Sequence, residues 1–156
     1  MILDERARAV LEAARSATLA TIAPDGRPRL VPVCFVVVDG GPDGHAVLYS
    51  PLDDKPKAAP AATDPHELAR VRDLVARPHT TLLVDRWSED WDRLAWLRIE
   101  ARAELIEPSP SGSEHAVAVA ALRTKYPQYA THHLEERPII RFTVDRAVAW
   151  GDLGDA

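Results

Sequence analysis

The chain has 156 residues, 46% of them hydrophobic, with a single cysteine and 19 Lys and Arg against 24 Asp and Glu. A chain of this length buries roughly 70% of the surface of its unfolded form, so we expect one globular domain over residues 1–156 without a disulfide framework or a structural metal. The formal net charge of −5 argues against a general nucleic-acid-binding protein, and no apolar run approaches the ~20 residues of a membrane span.

The first third of the sequence predicts a helix followed by an antiparallel strand meander. Residues 4–14 place apolar side chains at helical spacing, with Asp4 and Glu5 where the helix dipole is positive. Residues 17–22 are rich in β-formers, residues 23–26 (APDG) have turn chemistry, and residues 29–38 form a nearly unbroken β-branched run. We therefore predict a hairpin whose second strand, residues 29–38, is largely buried. A third strand at residues 45–50 follows the turn at residues 40–44.

The remainder predicts two more helices and three more strands. Residues 64–67 (DPHE) combine an N-cap, a proline and a capping-box glutamate, and open a helix that ends before Pro78. The side chains of this helix that we expect to face inward are Leu68, Val71, Leu74 and Val75. Residues 80–86 and 94–105 predict strands, and residues 113–125 predict a helix. In the last strand, residues 139–150, we expect Ile140, Phe142, Val144 and Val148 to face the core.

The order of these elements decides the fold class. Six mostly sequential strands with three helices do not alternate as a doubly wound parallel sheet requires. They favour an α+β fold in which a predominantly antiparallel six-stranded sheet closes on itself as a small split β-barrel with three flanking helices.

Familiar catalytic signatures are missing from the sequence. It contains no G-x-G-x-x-G, P-loop, G-x-S-x-G or H-E-x-x-H pattern. Cys34 lies in an apolar run and is interpreted as a small buried hydrophobe, not a nucleophile. His132 and His133 are adjacent and point in different directions, so we expect a polar loop and no metal site. The acidic pairs at residues 53–54 and 89–90 fit either acid–base chemistry or solvated turns.

Basic residues give the more informative pattern. Lys55 and Lys57 follow a predicted strand end, and Arg70, Arg72 and Arg77 lie on the helix behind it. In an acidic chain this concentration fits an anionic ligand, because ammonium and guanidinium groups form charge-assisted bonds to phosphate or carboxylate oxygens. A solvated helix face explains it equally well from the residues alone.

A family resemblance favours the anionic ligand. Residues 17–22 (ATLATI), 25–28 (DGRP) and 30–33 (LVPV) resemble the opening of the pyridoxamine 5′-phosphate oxidase-like split-barrel superfamily, which binds FMN or coenzyme F(420). Residues 49–50 (YS), 55–57 (KPK), the helix at 68–77, the strand at 81–85 and residues 86–91 (RWSEDW) resemble, in order, the actinobacterial branch of probable F(420)-dependent enzymes. The resemblance covers nearly the whole chain.

The resemblance implies a homodimer of split barrels with a cofactor in each groove between subunits. The cofactor ring would lie against residues 30–33, the lysines and Arg72 would hold its phosphate, Tyr49 and Ser50 would lie near that phosphate, and Trp87 or Trp91 would wall the ring pocket of the other subunit. The cofactor-binding residues that it implies are Leu30, Val31, Pro32, Val33, Tyr49, Ser50, Lys55, Lys57, Arg72, Trp87 and Trp91.

The implied activity is a coenzyme F(420)-dependent oxidoreductase that transfers a hydride between the deazaflavin and a small organic substrate. Hydride transfer is the cofactor's own chemistry, so no protein nucleophile is required and no catalytic residue is assigned. One alternative is an FMN-dependent oxidase or reductase of the same fold, and another is a non-catalytic protein that binds or carries a flavin-like or haem-like ligand. Because no leader pattern opens the sequence, we expect a cytoplasmic protein whose partners are a small-molecule substrate and a second copy of the chain, without nucleic acid or membrane.

Overall fold

Seven antiparallel strands form one sheet in the computed structural model, which describes residues 1–53, 64–110 and 112–154. The helices within these ranges are α1 (Glu5–Ala13), α2 (Ala69–Ala76) and α3 (Glu114–Lys125). The strands are β1 (Ala17–Ile22), β2 (Pro28–Val33), β3 (Val36–Val38), β4 (Val47–Pro51), β5 (His79–Arg86), β6 (Ala95–Ile106) and β7 (Ile139–Gly151). Their order across the sheet is β2-β1-β5-β6-β7-β4-β3. The predicted α+β class, antiparallel pairing and three helices are confirmed.

The prediction of six strands was wrong, because the run at residues 29–38 forms two strands. The chain leaves the sheet at Cys34 and Phe35, so β2 pairs with β1 and β3 pairs with β4. A run of β-branched residues specifies extended backbone but not the ladder that each half joins. The expectation that the whole run is largely buried was also wrong, since four of the six residues of β2 are exposed.

The expected closure of the sheet was wrong as well. β2 and β3 are the two edge strands, and no ladder joins them within the described residues. Val33 and Val36 are nevertheless three residues apart, a span of at most about 11 Å for an extended chain. The sheet must therefore curl until its two edges approach each other, leaving a split between them.

Tyr126 fastens the chain at this split. Its hydroxyl accepts a hydrogen bond from the Phe35 N–H at 3.0 Å and lies 2.9 Å from the carbonyl oxygens of both Phe35 and Arg15, to one of which it donates. Both Tyr126 and Phe35 are buried. Burial raises the pKa of Tyr126, which keeps its hydroxyl protonated as a donor. One side chain at the end of α3 thus accepts from the Phe35 N–H, which has left the sheet ladders, and donates to one of two nearby carbonyls.

Two apolar clusters fill the molecule. The larger one lies between the sheet and the helices α1 and α2, and includes Leu11, Phe35, Leu74 and Phe142. The smaller one lies under α3 and joins it to β4 and the start of β7. Strand β6 shows the predicted alternation, with odd-numbered residues from 95 to 103 buried and their neighbours half-buried or exposed. Within the described ranges, no helix has the length and apolar character needed to cross a membrane.

A bulge in β7 corrects one predicted core residue. The β6–β7 register shifts between Glu100 and Ala101, which leaves Asp145 without a partner in the ladder. One extra residue reverses which face the following side chains occupy. Val148 is therefore opposite Arg98 and faces away from the core, contrary to the prediction.

The start of α2 also differs from the prediction. Asp64 caps a short 3-10 turn at Pro65–Glu67, its side chain accepting from the His66 N–H, and α2 itself begins at Ala69. Val71 and Leu74 are buried as expected, but Val75 is 70% exposed. An eight-residue helix buries a narrower stripe than the longer helix that the sequence predicts.

We expect Tyr126→Phe to lower the free energy of unfolding by about 1–3 kcal/mol, because it leaves the Phe35 N–H and one nearby carbonyl without the hydroxyl that pairs them. Urea unfolding measures this loss. Tyr49→Phe is the matched control, since it removes one hydrogen bond to Glu114, which keeps its contacts with Arg141. A smaller loss for Tyr126→Phe than for Tyr49→Phe would contradict this role.

Lys125 should make stability depend on pH. Its amine donates to the Leu11 carbonyl at 3.0 Å and lies 4.2 Å from the ring centre of Phe35. Burial, with repulsion from Arg15, lowers its pKa from the ordinary 10.5 to about 8. Because the unfolded chain holds this proton more tightly, the free energy of unfolding should rise from about pH 8 to about pH 10.

Urea unfolding at about pH 7.5 and about pH 9.5 measures this rise. Lys125→Arg should reduce it, since an arginine stays charged throughout that range. Equal changes in the two proteins would show that Lys125 does not titrate there.

Candidate functional site

Strand β2 presents an apolar surface at one edge of the sheet. Leu30 and Pro32 are paired with Ala20 and Thr18 of β1 and point outward, and Leu30 is 68% exposed. Val33 points into the larger cluster, and Val31 packs against it. The predicted ring-binding segment is therefore divided, with two of its side chains available to a ligand and two holding the strand to the core.

A buried carboxylate fastens β2 to α2. Asp73 accepts a hydrogen bond from the Thr21 hydroxyl at 2.9 Å and an ion pair from Arg29 Nη1 at 3.2 Å. The Asp73 side chain is 2% exposed and the Arg29 side chain is 44% exposed. One side of the Arg29 guanidinium is thus fixed while the group remains in reach of solvent. Sequence reasoning did not select Arg29, although a basic residue at the start of a β-branched run is a visible signal.

Tyr49 and Ser50 lie on β4 with buried side chains. The Tyr49 hydroxyl donates to Glu114 at 2.8 Å, and Glu114 also accepts from Arg141 at 2.8 Å. Burial raises the pKa of Tyr49 and the Glu114 carboxylate raises it further, so the hydroxyl remains a donor. From Ser50 onward β4 pairs with β7 only, since its pairing with β3 ends at Tyr49. Beyond Tyr49, β4 therefore has no ladder partner on the side of the split among the described residues, although Ser50 itself is buried.

Asp53 anchors the chain where it leaves β4. It is buried, accepts a hydrogen bond from the Tyr129 hydroxyl at 2.8 Å, and its carbonyl accepts from Arg137 Nη1 at 3.3 Å. Burial lowers the pKa of Arg70, and the charge of Asp53 acts against that shift. This carboxylate has a structural partner 76 residues away, which no sequence pattern indicates. Lys55 and Lys57 lie outside the described residues.

The remaining predicted residues lie elsewhere. Trp87 and Trp91 occupy the connection between β5 and β6 and are 68% and 73% exposed. Arg72 is on the exposed side of α2, between the buried Val71 and Asp73. The predicted cofactor residues therefore fall into separate regions of one chain: the edge strand β2, the exit of β4, α2, and the β5–β6 connection. Among the described residues, no three His, Cys, Asp or Glu side chains are grouped to hold a metal.

The outward side of the sheet is not an ordinary solvent surface. We call it the outer face and define it by Leu30, Leu83, Trp96, Arg98, Val148 and Trp150, which are half-buried or exposed. Trp150, opposite Trp96, is 54% exposed. Arg98 Nε is buried without a hydrogen-bond partner in the described ranges. Arg98 Nη2 pairs with Glu100 at 3.5 Å, so only Nε is unsatisfied. Exposed aromatic surface beside an unsatisfied buried donor is typical of a face that another molecule covers.

Comparisons with known proteins identify the fold. The family model for pyridoxamine 5′-phosphate oxidase matches residues 3–151. No curated protein sequence matches the chain.

Three similar solved structures bind different ligands. An F420 reductase is 20% identical with a TM-score of 0.61, and the alignment covers 94% of this chain and 98% of that one. An FAD-binding protein from Mesorhizobium loti is 21% identical with a TM-score of 0.57, covering 90% and 87%. A heme binding protein from Mycobacterium smegmatis is 19% identical with a TM-score of 0.62, covering 99% of this chain and 57% of that one. These identities establish a shared fold, not a shared ligand.

We expect Asp73→Ala to lower the free energy of unfolding by about 1–3 kcal/mol, because it leaves the buried Thr21 hydroxyl unpaired and frees Arg29. Glu12→Ala is the control, since it removes an exposed ion pair to Arg8 on α1 and should change stability by less than about 1 kcal/mol. Urea unfolding compares the two variants. Similar small losses in both would mean that Asp73 does not fasten α2 to β2.

Proposed function

The chain belongs to the pyridoxamine 5′-phosphate oxidase family, and on that premise we propose that it is an oxidoreductase that transfers a hydride between coenzyme F(420) and a small organic substrate. The exposed apolar edge of β2 is the observation that carries this proposal. Leu30 and Pro32 offer a platform for a flat ring, and the strand beneath them is fixed by Val33 and Asp73. A rigid platform holds a ring in one orientation, which hydride transfer requires.

The residues present fit an anionic ring cofactor. Arg29, the second residue of β2, has a partly exposed guanidinium, and the pairing of β4 with β3 ends at Tyr49. Lys55 and Lys57 follow β4 in the sequence, and Arg72 lies on the exposed side of α2. Guanidinium and ammonium groups favour phosphate and carboxylate oxygens, of which the tail of a deazaflavin cofactor has several. Because Tyr49 and Ser50 are buried as whole residues, we assign them the positioning of the end of β4 and not a direct contact with the cofactor.

The bound deazaflavin would supply the hydride chemistry, and this chain would bind it, orient it and exclude water. The Leu30 and Pro32 side chains contribute an apolar contact that displaces water from one face of the ring. Tyr49 is committed to Glu114, so it does not supply a proton to a substrate from its present position. A proton that the reaction needs would come from water or from a side chain that completes the site.

We assign completion of the site to a second copy of the chain. The outer face exposes Leu30 and Trp150 and leaves Arg98 Nε unsatisfied, which supports a partner across that face. Trp87 and Trp91 are exposed and would wall the ring pocket of the other subunit. A cofactor between subunits would also explain why one chain keeps its candidate residues in separate regions.

Parallel titration with F(420) and FMN tests the proposal, with tryptophan fluorescence as the readout. The three mostly exposed tryptophans Trp87, Trp91 and Trp150 should be quenched by a ring bound near them. Tighter binding of F(420) than of FMN, and oxidation of reduced F(420) by an added acceptor, support the reductase. Preference for FMN would favour the flavin alternative, and tight binding of haem with no turnover of either ring would favour a carrier.

The phosphate assignment has its own test. We expect the double replacement Lys55→Ala and Lys57→Ala to weaken F(420) binding by roughly ten- to a hundredfold, because loss of the charge-assisted phosphate contact costs about 1.5–3 kcal/mol in all. The control replaces two exposed arginines that the proposal does not use, Arg6→Ala and Arg102→Ala, and removes the same charge. Unchanged affinity in the lysine variant, or equal weakening in both, would overturn the assignment.

A further inference from the structure

A cavity separate from the β2 surface lies between α1, the end of β5 and the start of β6. Its volume is about 440 Å³, within the range of small-molecule sites. The residues that line it are Ala9, Val10, Ala13, Ala14, Val84, Asp85, Arg86, Ala95, Trp96, Leu97, Leu153 and Gly154. Most of this lining is apolar, and apart from Trp96, which also belongs to the outer face, the proposed function does not use it.

Small side chains on one side of α1 create the space. Ala7 and Leu11 point into the larger cluster and are buried, whereas Ala9 and Ala13, four residues apart, lie along the cavity. Val84 and Leu97, both buried, contribute to the opposite wall. Longer side chains on α1 would fill the gap, so the alanines keep it open.

The end of the chain that the structure describes forms a third wall. We call residues 152–154 the strap. Gly151 ends β7 with φ +82°, and a Cβ there would lie 2.0 Å from the Leu94 carbonyl oxygen, so only glycine permits this turn. The Asp152 N–H donates to the Leu94 carbonyl at 3.1 Å, and the Gly154 N–H donates to Asp152 Oδ1 at 2.9 Å. The turn directs the strap along the cavity.

Arg86 and Asp85 give the cavity its charged groups. Arg86 Nε donates to the Arg93 carbonyl at 3.2 Å, and its Nη2 donates to the Asp152 carbonyl, which holds the guanidinium in place. Nη1 donates to none of the described residues and is close to Gly154, where an added Cβ would lie 3.8 Å from it. The Asp152 carboxylate lies 3.9 Å from Nη2, so Nη1 is the guanidinium nitrogen whose hydrogens no described residue accepts, and it stands beside a mostly apolar cavity.

We propose that this cavity binds a small aromatic molecule that carries a carboxylate or carbonyl oxygen, with the ring against α1 and the oxygen accepting from Arg86 Nη1. The apolar walls provide the hydrophobic contact and Arg86 provides the orientation. Benzylamine, which is of the same size, offers Arg86 Nη1 no oxygen to accept its hydrogen bond and should therefore bind more weakly. The proposal does not depend on F(420) binding, so it is tested without cofactor.

The test is an NMR titration of ¹⁵N-labelled protein with benzoate, acetophenone and benzylamine. Benzoate and acetophenone should give saturable shifts at the Ala9, Ala13 and Gly154 amides and at Arg86 Nε, whereas benzylamine should bind there more weakly. Arg86→Gln should remove the preference for benzoate over benzylamine. Shifts spread over the surface, or equal binding of all three molecules, would overturn the proposal.

Filling the cavity gives a second readout that leaves Arg86 intact. Ala13→Leu and, independently, Ala9→Leu should weaken benzoate binding at least about tenfold. Arg6→Leu is the control, because it adds the same side chain to an exposed position of α1 that does not line the cavity. If Ala9→Leu and Ala13→Leu both fold and both bind benzoate with wild-type affinity, the molecule binds elsewhere.

Discussion

The rest of this structure depends on one constraint: a link of only two residues joins the two edge strands of the sheet. Cys34 and Phe35 link β2 to β3, which are the outermost strands on opposite sides, so the sheet has to curl around its core. Because the sheet curls, α1 and α2 pack on the larger apolar cluster, whereas α3 packs on the smaller one. It also leaves a split rather than a closed barrel, because the Phe35 N–H donates to Tyr126 and not to a neighbouring strand.

Edge position then determines what β2 can do. A strand in the middle of a sheet has both of its edges paired, but β2 pairs with β1 alone and turns Leu30 outward. Its inner side chains and the Asp73 network make that edge rigid. A rigid and exposed apolar edge suits recognition of a flat ring, which is the property that the proposed function uses. Members of this fold bind different ring ligands, so the identity of the ring depends on the groups around the platform.

The two candidate ligand sites differ in which parts of the protein form them. The β2 site is open, and its completion is assigned to charges outside the described residues and to a second chain. The cavity beside α1 is bounded within one chain by alanines, buried strand residues and the strap. The first site therefore depends on assembly, and the second depends only on the folded chain.

Local patterns in the sequence determined the antiparallel α+β class, the positions of the three helices and the alternation along β6, because caps, turns and periodicity involve residues close together in the chain. The family resemblance was equally legible, since it rests on short segments in order. The tertiary structure alone decided where the run at residues 29–38 divides, because that depends on which ladder each half joins. It decided the outward turn of Val148 through a bulge, and it brought Tyr129 to Asp53 and Tyr126 to Phe35 across 76 and 91 residues. Contacts over such distances follow from how layers pack, and no pattern in the neighbouring residues specifies them.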